Sequence, residues 1–393
     1  MNPPPISAVS RRQLIAAGLA LSAAPARGAD FASPAPLAAI EARADHIVDI
    51  SVCTRPFRAR GPRIEAQPWA GRTIIHNYGH GGSGWSLSWG SARLAVQLAL
   101  STREKRIAVI GCGAIGLTTA RAAQRAGLRV RIVCRERPPE VRSSFATGVW
   151  SPSSRICSNE FASPDFVARW EGMARHSFRM YQYLLGLPGD PVEWRESYLL
   201  SDLPFDQPAA SANLPATEPD YAELDDRLDD IDPRSNPLTP AQHPFPVPHV
   251  RRYAQLVFNL PAYTKLLLDD FFREGGEIEQ REFGSLRQFA ALKERTIVNA
   301  TGYGARALLG DESIVPVRGQ IAHLLPQPEV RYGLHYRGHN LSVVSRRDGI
   351  LVQAQGDNDY GNADITPDRA LSLAALERLA ALARPPSTSL RPR

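Results

Sequence analysis

Gly111-Cys112-Gly113-Ala114-Ile115-Gly116 follows an apolar run, Ile107 to Ile110, and opens an alanine-rich stretch that Gly127 closes. Between a strand and a helix, that glycine spacing cradles a dinucleotide. The first glycine makes the turn, the second lets the backbone approach a pyrophosphate, and the third lets helix and strand pack closely. The phosphates rest on the helix N-terminus, where free amides and the dipole favour an anion, so Gly111, Gly113, Ala114, Ile115 and Gly116 are cofactor-site candidates. A second strand, Val130 to Val133, leads to Arg135 and Glu136. Glu136 lies about 20 residues past the last glycine, where a carboxylate accepts hydrogen bonds from ribose hydroxyls. Arg135 reaches the adenine face or a phosphate. Neither residue distinguishes FAD from NAD.

The elements that position these groups read as an α/β chain. A short strand, Ile47 to Val52, leads into Thr54-Arg55-Pro56-Phe57-Arg58, and another, Thr73 to His76, runs into a glycine-rich loop before helical residues from Ser88 to Leu100. Helical patterning returns at 164 to 185 and from Tyr263 to Arg273, with strands near Ile278 and from Thr296 to Asn299. Strands near Leu341 to Ser345 and Ile350 to Gln355 flank Arg347-Asp348-Gly349 as a hairpin, and a last helix spans about Pro367 to Leu382. Pro204 to Pro248, rich in proline and acids, reads as a long surface excursion over the site, a partly mobile lid, or a solvated loop with no role.

The pattern Ile74-Ile75-His76-Asn77-Tyr78-Gly79-His80-Gly81-Gly82-Ser83-Gly84, with Gly90 and Ala92 following, resembles the signature of the D-amino-acid oxidase family at every defined position. Physically, such a loop presses N–H groups of Gly81, Gly82, Ser83, Gly84, Trp85 and Ser86 against a ring system, and the helix behind it stabilises negative charge on a reduced flavin. Arg55-Pro56-Phe57-Arg58, followed by Gly61-Pro62-Arg63-Ile64-Glu65, is similar to the family segment that supplies the substrate-binding arginine, with Arg55 at the matching place. A guanidinium fork fixes a carboxylate in orientation as well as charge. Asn299-Ala300-Thr301-Gly302 and Val317-Arg318-Gly319-Gln320 resemble segments that line the flavin. The stretch Arg142 to Trp150 resembles the one that contacts the pyrophosphate and isoalloxazine edge. The resemblance therefore implies FAD, with Arg142, Ser143, Ser144, Gly148, Val149, Phe283, Thr301 and Gly302 added to its site.

It also implies a Rossmann-like FAD-binding domain plus a mainly antiparallel β-sheet substrate domain. In the family the GxGxxG strand comes first, whereas here the Arg-Pro and His-Asn-Tyr-Gly segments precede it, so the order looks circularly permuted across Ser101-Thr102-Arg103-Glu104-Lys105. The expected partition is a signal at 1–28, a linker at 29–45, substrate-domain segments at 46–69, 153–276 and 326–383, FAD-binding segments at 70–152 and 277–325, and a tail at 384–393. Permutation is tolerable where old termini lie close together.

The implied reaction is oxidative deamination of a D-amino acid. Arg55 pairs with the carboxylate, the amine lies near backbone acceptors of Gly81-Gly82, and hydride leaves Cα for flavin N5. The imino acid hydrolyses to keto acid and ammonia, with hydrogen peroxide formed if oxygen is the acceptor and none if a quinone is. No side chain is nominated as catalytic, because orientation and electrostatics supply the rate. His76 and His80 are read as structural, and Tyr253 is a candidate to close the substrate pocket. D-aspartate, glycine or sarcosine oxidation stays open; D-aspartate would want an extra cation. A nicotinamide dehydrogenase or a non-catalytic amino-acid binder are the competing readings.

The 393 residues, 43% hydrophobic, can bury a large core and suit two domains. The net charge of +6 is spread along the chain without the aromatic-and-basic array of RNA binders, which argues against nucleic acid. Cys53, Cys112, Cys134 and Cys157 show no CxxC spacing and no HExxH accompanies them, so no metal site is indicated, while one disulfide is permitted. Ser10-Arg11-Arg12-Gln13-Leu14-Ile15, an apolar run to Ala24 and Ala24-Pro25-Ala26 resemble a twin-arginine export signal, too short to span a bilayer. That route carries folded proteins, suits one that binds its cofactor before export, and implies a periplasmic or secreted protein.

Overall fold

The computed structural model describes residues 37–207, 218–354, 356 and 358–382. The expected signal and tail lie outside the described residues.

The dinucleotide segment forms as read: β4 (Arg106–Ile110), α2 (Ala114–Arg125) and β5 (Arg129–Cys134). The turn into β5 takes Gly127 at φ +83°. Ile107 and Val109 face one core cluster while Ala108 and Ile110 face another, the two-residue alternation of a strand buried on both faces. β4 pairs in parallel with β5 and with β10 (Thr296–Asn299), which pairs in parallel with β3 (Arg72–Tyr78); β9 (Glu277–Gln280) extends the parallel run beyond β5. β2 (Arg63–Trp69) closes the other edge antiparallel to β3, so the six-stranded order is β2-β3-β10-β4-β5-β9. α1 (Gly84–Ser101) and α2 share the core cluster on one face of this sheet, through Leu87, Ala95, Leu117 and Ala120.

A second sheet of eight strands runs β1-β11-β14-β13-β12-β6-β8-β7. Its members are β1 (Ile47–Arg58), β6 (Val192–Ser201), β7 (Asn236–Leu238), β8 (His249–Phe258), β11 (Ile314–Leu324), β12 (Tyr332–Tyr336), β13 (Leu341–Arg346) and β14 (Gly349–Ala354). All neighbours are antiparallel except β12 and β6. The parallel α/β sheet and the mainly antiparallel one match the expected fold class. Val192, Leu256 and Phe258 of the second sheet share a core cluster with Ile107 and Val298 of the first, together with Trp170 of α3 (Pro164–Gln182) and Tyr263 of α4 (Leu260–Arg273).

β1 extends past the expected strand and carries Arg55 within it, opposite Val317. Pro56 does not break it, because β1 is an edge strand and faces Pro316, another residue without an amide hydrogen. Sheet membership also redraws the expected partition: β2 joins the parallel sheet and β11 the antiparallel one. The linker expected up to residue 45 is docked at its end, where Ile40 is buried and the Glu41 amide donates to Gln327 Oε1 at 2.9 Å. The acidic excursion is anchored rather than merely solvated. Leu224 and Leu228 enter the core, the Ala222 amide donates to the Cys157 carbonyl at 3.1 Å, and Arg175 of α3 pairs with Asp230 at 2.8 Å. All four cysteines are buried free thiols, so the permitted disulfide does not form.

Candidate active site

A cavity of about 1320 Å³ runs from the C-terminal ends of the parallel strands to the face of the antiparallel sheet. Ordinary small-molecule pockets hold roughly 300–1,000 Å³, so this one admits a dinucleotide and a second small ligand.

At one end, Gly111 adopts φ +105° and donates its amide to the Val133 carbonyl at 2.9 Å; a Cβ there would lie 2.6 Å from the Ala300 carbonyl oxygen. Gly113, Ala114 and Ile115 line the cavity. Gly116 does not: a Cβ on it would meet the Gly111 carbonyl, so its task is to let α2 close on the turn. The first bond of α2 runs from the Leu117 amide to the Gly113 carbonyl, which leaves the preceding amides for an anion. Ala114 alone has given its amide to Ser143 Oγ, at 2.9 Å. Arg135 and Glu136 reach the same end, joined by an ion pair of 3.0 Å, and Arg135 also pairs with Glu282 at 3.2 Å. Arg142 lines the cavity with no carboxylate within 4.0 Å among the described residues. Phe283, Thr301 and Gly302 complete this wall, Phe283 held edge-on by Phe289 and Thr301 Oγ1 donating to Asn299 Oδ1 at 2.8 Å.

In the middle, the glycine loop differs from its expected working. The Gly81 amide donates to the Pro56 carbonyl at 2.9 Å and the Gly82 amide to the Ser154 carbonyl at 3.0 Å. Both donors are engaged by protein, so neither presses on a ring; the two residues keep their carbonyl oxygens for a ligand, as an amine requires. Gly84 and Trp85 line the cavity from the first turn of α1, whose free amides and dipole point there instead. Ser83, Ser86, Ser144 and Gly148 stand behind the lining. Ser83 Oγ donates to the Ser154 carbonyl at 2.9 Å, Ser86 Oγ accepts the Ser151 amide at 2.8 Å, the Ser144 amide donates to the Val141 carbonyl at 2.9 Å, and the Gly148 carbonyl accepts the Phe258 amide at 2.6 Å. They brace the loops that Val149, itself at the cavity, belongs to.

His80 reaches the cavity and its state is set by a chain of bonds. Ser91 Oγ donates to Asn77 Oδ1 at 2.5 Å and lies 2.7 Å from His80 Nε2. Since the Ser91 proton is committed, Nε2 carries the imidazole hydrogen, and the buried Nδ1 is left as an acceptor without a partner. Burial holds His80 at a pKa of about 3 and His76 at about 4, so both are neutral and neither shuttles protons, as the structural reading expects.

At the far end, Arg55 Nη1 donates to the Arg318 carbonyl at 2.8 Å, and no carboxylate lies within 4.0 Å of its guanidinium among the described residues. Burial pulls its pKa below the ordinary arginine value; Cys53 and Asp359 act against that fall and Arg155 adds to it. Gly319 is the reason it fits: a Cβ there would sit 2.5 Å from Arg55 Cζ. Arg318 and Gln320 face away, Arg318 Nη2 donating to the Thr366 carbonyl at 2.7 Å and Gln320 Nε2 to Ser372 Oγ at 2.8 Å. Tyr253 is not at the cavity. It sits in β8 opposite Ser197 of β6, because β6 and β8 form an uninterrupted ladder that directs it elsewhere. Residues missed from the sequence are Ser151, Ser154 and Arg155, immediately after the Arg142–Trp150 segment, and His335, Ser342 and Gln353 of the antiparallel sheet. The first three lay within reach, since they continue a segment already assigned to the site; the last three depend on sheet register.

Comparison with known proteins bears directly on this geometry. The DAO family, described as FAD dependent oxidoreductase, matches residues 106–391. The chain belongs to this family. It is 30% identical to a D-amino-acid oxidase of Rubrobacter xylanophilus over 281 residues, covering 70% of this chain and 77% of the relative, and 28% identical to one of Streptomyces coelicolor over 291 residues, covering 71% and 78%. In fold it resembles glycine oxidase from Geobacillus kaustophilus, with a TM-score of 0.50 at 16% identity over 71% of this chain and 78% of that one. The residues present fit FAD, the family's cofactor. A Cβ at Gly111 or Gly116 would strike the Ala300 or Gly111 carbonyl, so the glycines keep the cradle's turn closed; the α1 and α2 termini offer unspent donors, and the buried Nδ1 of His80 is an acceptor that a bound group satisfies.

Proposed function

We propose that this protein oxidatively deaminates D-amino acids and that Arg55 holds the substrate carboxylate. The observation that carries the reading is a half-buried guanidinium with no carboxylate partner among the described residues, set beside the Gly81-Gly82 turn in the same cavity as a dinucleotide cradle. A half-buried cation with one backbone partner has donors to spare for a carboxylate, and the fork fixes its plane. The carbonyls of Gly81 and Gly82 then face the amine. FAD, when bound, supplies the acceptor for the hydride that leaves Cα. The neutral His80 takes no proton, so the amine is the group that must arrive deprotonated. The released imino acid hydrolyses to keto acid and ammonia, and the reduced cofactor is reoxidised by oxygen or a quinone-type acceptor.

Replacing Arg55 with Met in the holoenzyme tests the assignment. Loss of one partner of a buried charged pair costs about 3–5 kcal/mol, so kcat/KM falls by roughly 10²–10³-fold or more while flavin content is retained. Turnover unaltered by the change would move the carboxylate site elsewhere.

The same reading includes a circularly permuted order and export. Support for permutation is that the family match begins at residue 106, the first residue of β4, while the preceding residues supply β1, β2 and β3 to both sheets. A chain rebuilt with residues 47–101 placed after 382 should fold and bind FAD; failure of that chain alone, beside a sound native one, would count against permutation. For export, Arg11 and Arg12 carry the expectation. Changing both to Lys should retain folded holoprotein in the cytoplasm, and unchanged export would remove the twin-arginine route.

A further inference from the structure

We propose that Arg155 is a second carboxylate site in this cavity and that the substrates are D-amino acids with an acidic side chain. The inference rests on the D-amino-acid reading above and names the substrate class of that site.

Four observations converge on it. First, the two arginines flank one turn. Gly81 bonds the carbonyl of Pro56, next to Arg55, and Gly82 bonds the carbonyl of Ser154, next to Arg155, so two consecutive glycines separate the strands of chain that carry the cations. Both side chains line the cavity, and the charge of Arg155 is felt at Arg55. Second, the Arg155 guanidinium is under-used. Its only carboxylate contact among the described residues is Glu218, at 3.5 Å through Nη2, and its buried Nε has no partner. A fork of five donors with one long contact leaves positions that an anion fills. Glu218 also accepts from Tyr221 at 3.0 Å, and the Tyr221 ring lies 5.4 Å beneath the guanidinium. Together they hold the side chain in place without using up its donors.

Third, Arg155 sits at φ +49°, a backbone region that a residue with a Cβ rarely adopts and that persists where surroundings impose it. Its carbonyl is what a Cβ on Gly81 would strike, so the turn and the arginine are fitted to one another. Fourth, the cavity lining carries polar side chains. Ser151, Ser154, His335, Ser342 and Gln353 line it along with the apolar Val149, Ile321, Ala363 and Ile365. His335 Nδ1 and Ser342 Oγ already pair at 2.7 Å; a second carboxylate can accept from lining hydroxyls and the Gln353 amide, which a hydrophobic side chain would not use.

The test uses the FAD-loaded protein. Anaerobic reduction by D-aspartate and D-glutamate should exceed that by D-alanine and D-leucine by about tenfold or more in kcat/KM. In Arg155→Met, D-aspartate should lose at least about 100-fold more than D-alanine. Arg155→Gln, which keeps a polar side chain at the position, repeats the comparison if the Met variant does not hold FAD. Binding is read separately by calorimetry with succinate and butyrate, which share a four-carbon skeleton but carry two carboxylates and one: succinate should bind the native protein more tightly, and that advantage should vanish in the variants. Equal losses for D-aspartate and D-alanine would mean that both arginines clamp a single carboxylate, and a native preference for neutral D-amino acids would likewise overturn the proposal while leaving D-amino-acid oxidation intact. If no amino acid reduced the flavin, the underlying reading would fall, and equal affinity for succinate and butyrate would then overturn the second site independently.

Discussion

Trp85 Nε1 donates to the Ser143 carbonyl at 2.8 Å, and the hydroxyl of the same Ser143 accepts the Ala114 amide. One serine thus joins the first turn of α1, behind the glycine loop, to the first turn of α2, behind the dinucleotide cradle. The two helix termini that face the cavity are set by a single short segment, Arg142–Phe145.

Ser143→Ala removes the hydroxyl but keeps the carbonyl. The Ala114 amide then lacks its partner unless a phosphate takes it, so the free protein loses about 1 kcal/mol and melts about 1–2 °C lower. Bound FAD should recover part of the loss. A thermal shift measured with and without added FAD reads this directly, and equal losses in both states would show that the amide is not at the phosphate site.

Gly319→Ala places a methyl against the Arg55 guanidinium, which must shift because its neighbour is β-sheet backbone. Misplacing an orienting fork raises KM and lowers kcat/KM by roughly 10–100-fold, with flavin content unchanged. Steady-state kinetics beside the visible spectrum would distinguish this from loss of cofactor; unaltered KM would mean that Arg55 has no part in binding.

Much of this was legible in the sequence for a physical reason. The β4–α2–β5 unit and its glycines are local, so strand, turn and helix signals lie side by side from Arg106 to Cys134. Arg55 was legible through its neighbours, although not its place inside a strand: Pro56 hides the ladder unless the strand is known to be an edge. Arg155 was legible only as a continuation of the Arg142–Trp150 segment, not as a residue facing Arg55. Its position follows from the Gly82 amide bonding a carbonyl far away in sequence. Tyr253 failed for the converse reason. It lies between the acidic excursion and the helix that opens at about Tyr263, while pairing with β6 makes His249–Phe258 a strand and fixes where the tyrosine points.

Acid should destabilise the protein earlier than carboxylate titration alone would. His76 and His80 are held neutral by burial, at pKa values of about 4 and about 3, whereas in the unfolded chain each takes a proton near 6.5. Between pH 6.5 and 4 the unfolded state binds more protons, so stability falls as pH falls, by about 1.4 kcal/mol per unit for each histidine. Thermal unfolding followed from pH 7 to 4 should show a declining Tm that begins near 6.5. A flat profile down to pH 5 would mean that neither is held neutral.

The most direct test is an anaerobic reduction scan of the purified protein without residues 1–28. The visible spectrum should show bound flavin, D-amino acids should bleach it, L-enantiomers should not, and readmitted air would show whether oxygen restores it. A colourless protein, or flavin bleached by L-amino acids and untouched by D, would contradict the account.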